Sequence, residues 1–156
     1  KVDKDHHDHF LNGAIFEVYD KTAKSYVTTL ASGQLMIIGN DANEEYEISK
    51  DEDFTKIIKT VKTDENKQII LDIEDGTYYS RKVGDDKVSK HVIKDGKAVL
   101  ADAIYGHEYE FKEIKAPTSY QLADKSKAYK VEADKDTDTI IYYFENARIV
   151  VPNTGV

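Results

Sequence analysis

The chain has 156 residues, enough for one ordinary domain with a real core or for one domain carrying a large insertion. Charged residues make up 33% of it and the net charge is −8, which argues against a nucleic-acid partner, since no basic surplus exists to neutralise phosphates. Cysteine is absent, implying an intracellular home or a staple other than a disulfide, and no apolar run approaches the roughly 20 residues needed to cross a bilayer. With no signal peptide at its start, the sequence reads as a piece of something longer.

Eleven tyrosines, with many Val, Ile and Thr, point toward strands. The first clear one runs over 14–19, after Gly13 and up to Asp20, with apolar and polar residues alternating. Further strands are predicted over 34–38, 68–73 and 78–83, the last two hinged at Asp75-Gly76. Between them, Phe54, Ile57, Ile58 and Val61 have the spacing of a helix face, and Ser49 with Glu52 forms a capping box. A short amphipathic helix is therefore predicted over 49–63. Strands over 109–113 and 140–146 complete a mainly β chain. A weak internal echo links 76–83 with 106–113 and reads as two similar hairpins, with Glu113 standing where the first copy has Val83.

Several stretches carry chemistry. Tyr109-x-Phe111-x-Glu113 is followed by Ala116-Pro117-x-Ser119-Tyr120. Lys1-Val2-Asp3 precedes Leu11-Asn12-Gly13-Ala14-Ile15-Phe16, and Asn146 lies on a Tyr/Phe-rich strand just before Val151-Pro152-Asn153-Thr154-Gly155. Side chains alternate along a strand, so Glu113 shares a face with Tyr109 and Phe111, and Asn146 with Ile140, Tyr142 and Phe144. Both polar groups are thereby expected in an apolar core, where each is costly unless paired.

In order and spacing these stretches resemble the collagen-adhesin B-type (CnaB) domains of Gram-positive pilins and surface adhesins. The segment from Tyr109 to Tyr120 is similar to their E-box, with Ser119 where that pattern usually has Gly. Val151 to Gly155 resembles a sortase sorting signal, with Val in place of the commoner Leu. The resemblance covers 1–30 and about 97–155. It implies an immunoglobulin-like (CnaB-type) β-sandwich over 1–150, with a helix-containing insertion at about 31–96 and a sorting-signal tail at 151–156.

The resemblance also implies a Lys1–Asn146 isopeptide bond, formed by the chain on itself with Glu113 as proton shuttle. Lys4 is the rival for the lysine, but lies nearer Gly13 than the pattern suggests. Burial lowers a lysine pKa and raises that of a carboxylic acid, so such a pair can rest neutral, and a neutral amine is a nucleophile. The acid polarises the amide and carries a proton to the departing ammonia, while folding makes the reaction intramolecular. By analogy with disulfide loop closure, a link spanning nearly the whole chain removes roughly 5 kcal/mol of unfolded-state entropy.

No catalytic motif of turnover chemistry appears, so no enzyme and no cofactor are expected. The expected role is structural: an extracellular, wall-proximal domain whose partners are sortase and either peptidoglycan or other pilin subunits. The alternative is an adhesin module that binds a host or matrix ligand through the insertion. His6, His7 and His9, interleaved with Asp5 and Asp8, are weak metal candidates, because consecutive residues rarely converge on one ion. Glu44-Glu45 and Asp51-Glu52-Asp53 read as solvated faces and helix N-terminal charge.

Overall fold

The computed structural model describes residues 2–3, 11–122, 127–131, 139–142 and 145–146. The chain is mainly β, and its largest sheet has six strands. Its centre is β2 (Ile15–Asp20) and β3 (Ser25–Ala31), flanked on one side by β11 (Glu108–Lys115) and β12 (Lys127–Lys130). On the other side it is extended by β4 (Gln34–Ile38) and β7 (Gln68–Asp72). A four-stranded sheet runs in the order β6 (Ile57–Lys62), β5 (Glu45–Ser49), β8 (Gly76–Lys82), β9 (Ser89–Ile93). Two short pairs complete the set: β10 (Ala98–Ala101) antiparallel with β13 (Thr139–Tyr142), and β1 (Val2–Asp3) parallel with β14 (Glu145–Asn146).

Alternation along the strands builds two main cores, beside a smaller cluster of Ile15, Ala31 and Met36. Phe16 and Val18 of β2 and Tyr109 and Phe111 of β11 turn to one face, where Ala98 and Leu100 of β10 and Val131 cover them. Phe16 and Phe111 are 1% and 0% exposed, so each side chain contributes its full hydrophobic burial, about 2–3 kcal/mol. The second core lies inside the 31–96 segment. Leu35 and Ile37 of β4 and Ile69 of β7 pack there against Ile48 of β5, Tyr78 of β8 and Ile93 of β9. This segment thus extends the large sheet by two strands and lays a second sheet over that extension.

Two expectations about this segment are corrected. The helix predicted over 49–63 is absent, and no helix occurs among the described residues. Ser49 does not cap a helix: its hydroxyl donates to Asp51 at 2.7 Å, and Asp51 accepts the Lys56 amide at 2.9 Å, closing a loop in which Phe54 has φ +55°. The chain then enters β6, because Thr55, Ile57, Ile58, Thr60 and Val61 are β-branched and suit a pleated surface. Ile57 and Ile58 are 45% exposed, so the spacing that mimicked a helix face is not a buried stripe. The strands either side of Asp75-Gly76 also fall in different sheets, so that turn is a crossover and not a hairpin.

Asn12 fixes how the turns meet. Its amide donates to Asp95 Oδ1 at 2.7 Å and its carbonyl accepts the Gly96 N–H at 2.7 Å. Gly33, at φ +65° in the β3–β4 turn, packs so closely that a Cβ there would sit 1.9 Å from the Asn12 oxygen. Only glycine fits both the backbone and the space.

Candidate functional site

The acid of the E-box-like segment stands where β11 crosses β2. Tyr109 lies opposite Asp20, Phe111 opposite Val18 and Glu113 opposite Phe16. The three residues Tyr109, Phe111 and Glu113 are 2%, 0% and 3% exposed, so the expected burial of the carboxyl side chain on an apolar face is observed. Directly after Glu113 the register shifts, with Lys115 rather than Ile114 opposite Ile15. Such a bulge bends the strand and re-aims the neighbouring side chains. Glu113 is therefore the last inward residue of β11 before the chain leaves for Pro117, which is itself buried.

The far end of β11 is held by a network that the sequence did not announce. Asp20 Oδ1 accepts the amides of Thr22 and Ala23 at 3.0 and 2.9 Å, and its Oδ2 meets His107 Nδ1 at 2.7 Å. Burial alone would raise the Asp20 carboxyl, but the Ala23 amide, the His107 ring and the Thr22 amide together hold it below its ordinary value. The Lys21 amide donates to the Glu108 carbonyl at 2.8 Å, and the Glu108 amide to Thr22 Oγ1 at 2.9 Å. The Ile104 amide donates to the Tyr109 hydroxyl at 2.9 Å. These contacts fix the register in which β11 meets β2 and so place Glu113.

Ser119 follows the bulge at φ +70°, and the Tyr120 amide donates to the Pro117 carbonyl at 3.0 Å to close the turn. A left-handed backbone there accounts for a preference for glycine at this position.

The ends of the described chain meet. β1 and β14 run parallel with Val2 opposite Glu145 and Asp3 opposite Asn146. The first and last strands of the described residues are thus neighbours. Lys1 and Lys4 lie outside the described residues, as do His6, His7 and His9 and the whole of Val151, Pro152, Asn153, Thr154 and Gly155. Among the described residues no group of three or more His, Cys, Asp and Glu is placed to hold a metal ion.

Other polar groups are organised rather than simply solvated. Glu44 is 8% exposed: its Oε1 accepts the Asn40 and Asp41 amides, and its Oε2 pairs with the Lys82 ammonium. The Lys82 contact, aided by those amides, holds the Glu44 carboxyl below its ordinary value. Reading Glu44 as part of a solvated face is therefore corrected. In the four-stranded sheet, Ser80 Oγ and His91 Nε2 are 2.7 Å apart, and burial pushes the His91 imidazole down to about 4.

No curated protein matches the chain. A solved structure, the Bacillus anthracis TIE protein, is 12% identical with a TM-score of 0.35; the alignment covers 90% of this chain and 47% of that one, so the chain spans about half its length. Residues 80–148, under half of the chain, match the SpaA family, described as a prealbumin-like fold domain, and this part is similar to a pilin-type structural domain of Gram-positive surface proteins.

Proposed function

We propose that the chain is the structural, wall-proximal domain of a sortase-anchored Gram-positive pilin or surface protein, closed by a self-formed isopeptide bond between Lys1 and Asn146. In this reading residues 1–150 act as one CnaB-like unit and 151–156 as the sorting signal. The observation that carries it is the parallel pairing of the first and last described strands with Asp3 opposite Asn146, Lys1 being the residue that precedes Val2 in the sequence. Two further facts support it: the burial of Glu113 among Tyr109 and Phe111, and the match of residues 80–148 to a prealbumin-like fold domain.

The reaction is a transamidation. The lysine Nζ attacks Cγ of Asn146, the new C–N bond forms, and the old one breaks with release of ammonia. Glu113 takes the proton lost by the amine and returns it to the departing nitrogen, so no net charge is created in a low-dielectric core. Adjacent strands hold amine and amide together, which removes the entropic barrier of a bimolecular encounter. The bond forms once and does not turn over. Mechanically, force entering before β1 and leaving after β14 passes through a covalent link.

The test is Glu113→Gln, which keeps the size and polarity of the side chain but cannot shuttle the proton. This variant is expected to fold with an unchanged β spectrum and to keep the full mass of its sequence. Loss of one ammonia in Glu113→Gln would assign the chemistry to another acid.

A further inference from the structure

Asn12 and Gly13 combine two structural needs with one chemical weakness. Gly13 holds φ +87° just before β2, a backbone that residues with a side chain rarely adopt. Asn12 supplies both halves of the clamp on the 94–97 turn, donating to Asp95 and accepting the Gly96 N–H. The fold therefore calls for both residues, side by side. Together they form the step at which an asparagine amide is most open to attack, because the next residue has no side chain to keep its nitrogen from Asn12 Cγ. No other asparagine in the sequence is followed by glycine.

The folded chain withholds both reacting groups. The Gly13 N–H donates to the Ser32 carbonyl at 2.9 Å, and the Ser32 N–H donates to the Ala14 carbonyl at 2.8 Å. Ser32 is 0% exposed, and its hydroxyl accepts the Ala14 N–H at 3.0 Å and donates to the Leu11 carbonyl at 2.8 Å. The backbone on both sides of Asn12 is thus fastened to one buried residue. Its side chain is held away from Gly13 by Asp95 and Gly96, and it packs closely on Gly33. Ring closure needs the Gly13 nitrogen released from Ser32 and Asn12 Cγ turned back onto it, so it waits for a local opening of residues 11–14. Asn12 itself is exposed, so water reaches the product.

We propose that Asn12 is a deamidation site gated by the fold, protected while residues 11–14 are closed, and that its conversion permanently releases the clamp on the 94–97 turn. The Gly13 nitrogen forms a bond to Asn12 Cγ, the Cγ–Nδ2 bond breaks, and ammonia leaves with the proton that the Gly13 nitrogen gives up. Water then opens the resulting succinimide at either carbonyl, leaving aspartate or isoaspartate at position 12. No oxidant, reductant or cofactor is required.

The product cannot remake the contacts. A carboxylate has no N–H to offer Asp95 Oδ1, and it would put a second negative charge where a 2.7 Å hydrogen bond stood. Asp75 adds a third carboxylate nearby, its Oδ1 accepting the Asp95 amide at 3.0 Å. Isoaspartate also lengthens the backbone by one carbon beside the close contact with Gly33. The inference does not rest on the isopeptide bond. A succinimide is also lighter by one ammonia, but on digestion it gives a linear peptide and not a branched one.

The test incubates the full chain in warm, mildly alkaline buffer, either folded or in denaturant, and follows residue 12 by peptide mapping, with isoaspartate and aspartate products separated by chromatography. The unfolded chain is expected to convert Asn12 ahead of its other asparagines, and the folded chain to convert it slower by about tenfold or more. Equal rates in the two states would overturn the gate, and an unconverted Asn12 in the unfolded chain would overturn the site. Release of the clamp is read by amide hydrogen exchange. Asn12→Asp is expected to speed exchange at Gly33 and Gly96 by about tenfold, and adding Asp95→Asn, which again sets a donor against an acceptor, to restore most of the protection. Unchanged exchange in Asn12→Asp, or no recovery in the double variant, would overturn the claim that the new carboxylate releases the turn.

Discussion

Acidifying the protein from pH 7 to pH 5 puts a proton on unfolded histidines while the folded chain resists protonation at His91. Burial pushes that imidazole from the ordinary 6.5 down to about 4, so between these values the unfolded state binds more protons than the native state. The linked stability is complete above about pH 6.5 and is lost as the pH falls toward 4. At pH 5 the unfolded form is almost fully protonated and the native form barely so, and the loss relative to pH 7 comes to about 2 kcal/mol. Below pH 4 it approaches about 3 kcal/mol. The assay is urea denaturation at several pH values, comparing the wild type with His91→Gln, whose amide can still face Ser80 Oγ but does not titrate. Other acid-sensitive groups are common to both proteins and cancel. The wild type is expected to lose about 2 kcal/mol more than His91→Gln between pH 7 and pH 5. Parallel pH dependences would refute the reasoning and show that His91 is solvated.

Other consequences follow from the same packing. Asp20→Ala leaves the Thr22 and Ala23 amides and the His107 ring without their acceptor, and is expected to cost roughly 1–3 kcal/mol by denaturant melt. Ser119→Gly relieves a left-handed non-glycine backbone and is expected to stabilise by roughly 1 kcal/mol, read as a rise in the denaturation midpoint. Leu35→Ala, in the core shared by β4, β5, β7, β8 and β9, is expected to cost about 2–5 kcal/mol while leaving the hydrogen-exchange protection of β2 and β11 less affected than that of β4 and β5. Appended to a reporter, the tail Val151 to Gly155 is expected to form a Thr154 adduct with a sortase from the source cell and an amine acceptor; an unmodified tail beside a reacting control would sink the anchoring reading alone.

How far the sequence foretold this architecture depends on where the burial lies. β2 and β11 were legible because one face of each is fully buried, so that Phe16 and Val18, or Tyr109 and Phe111, alternate cleanly with polar residues. The inward position of Glu113 followed from that same alternation. β6 was misread because four apolar residues fell at helical spacing by coincidence, while its β-branched content carried the truer signal. Glu44 was misread because an acid run looks solvated until a folded loop brings two amides and Lys82 to it. The role of Asn12 was hidden for a related reason: its partners Asp95 and Gly96 are more than eighty residues away.

Intact-protein mass spectrometry, followed by digestion, tests the central claim most directly. A chain closed between Lys1 and Asn146 weighs one ammonia less than its sequence and yields a branched peptide joining the segment that contains Val2 and Asp3 to the one that contains Asn146. A branch from Lys4 would move the bond by three residues and leave the mechanism standing. A full sequence mass, with the two segments recovered as separate linear peptides, would contradict the account.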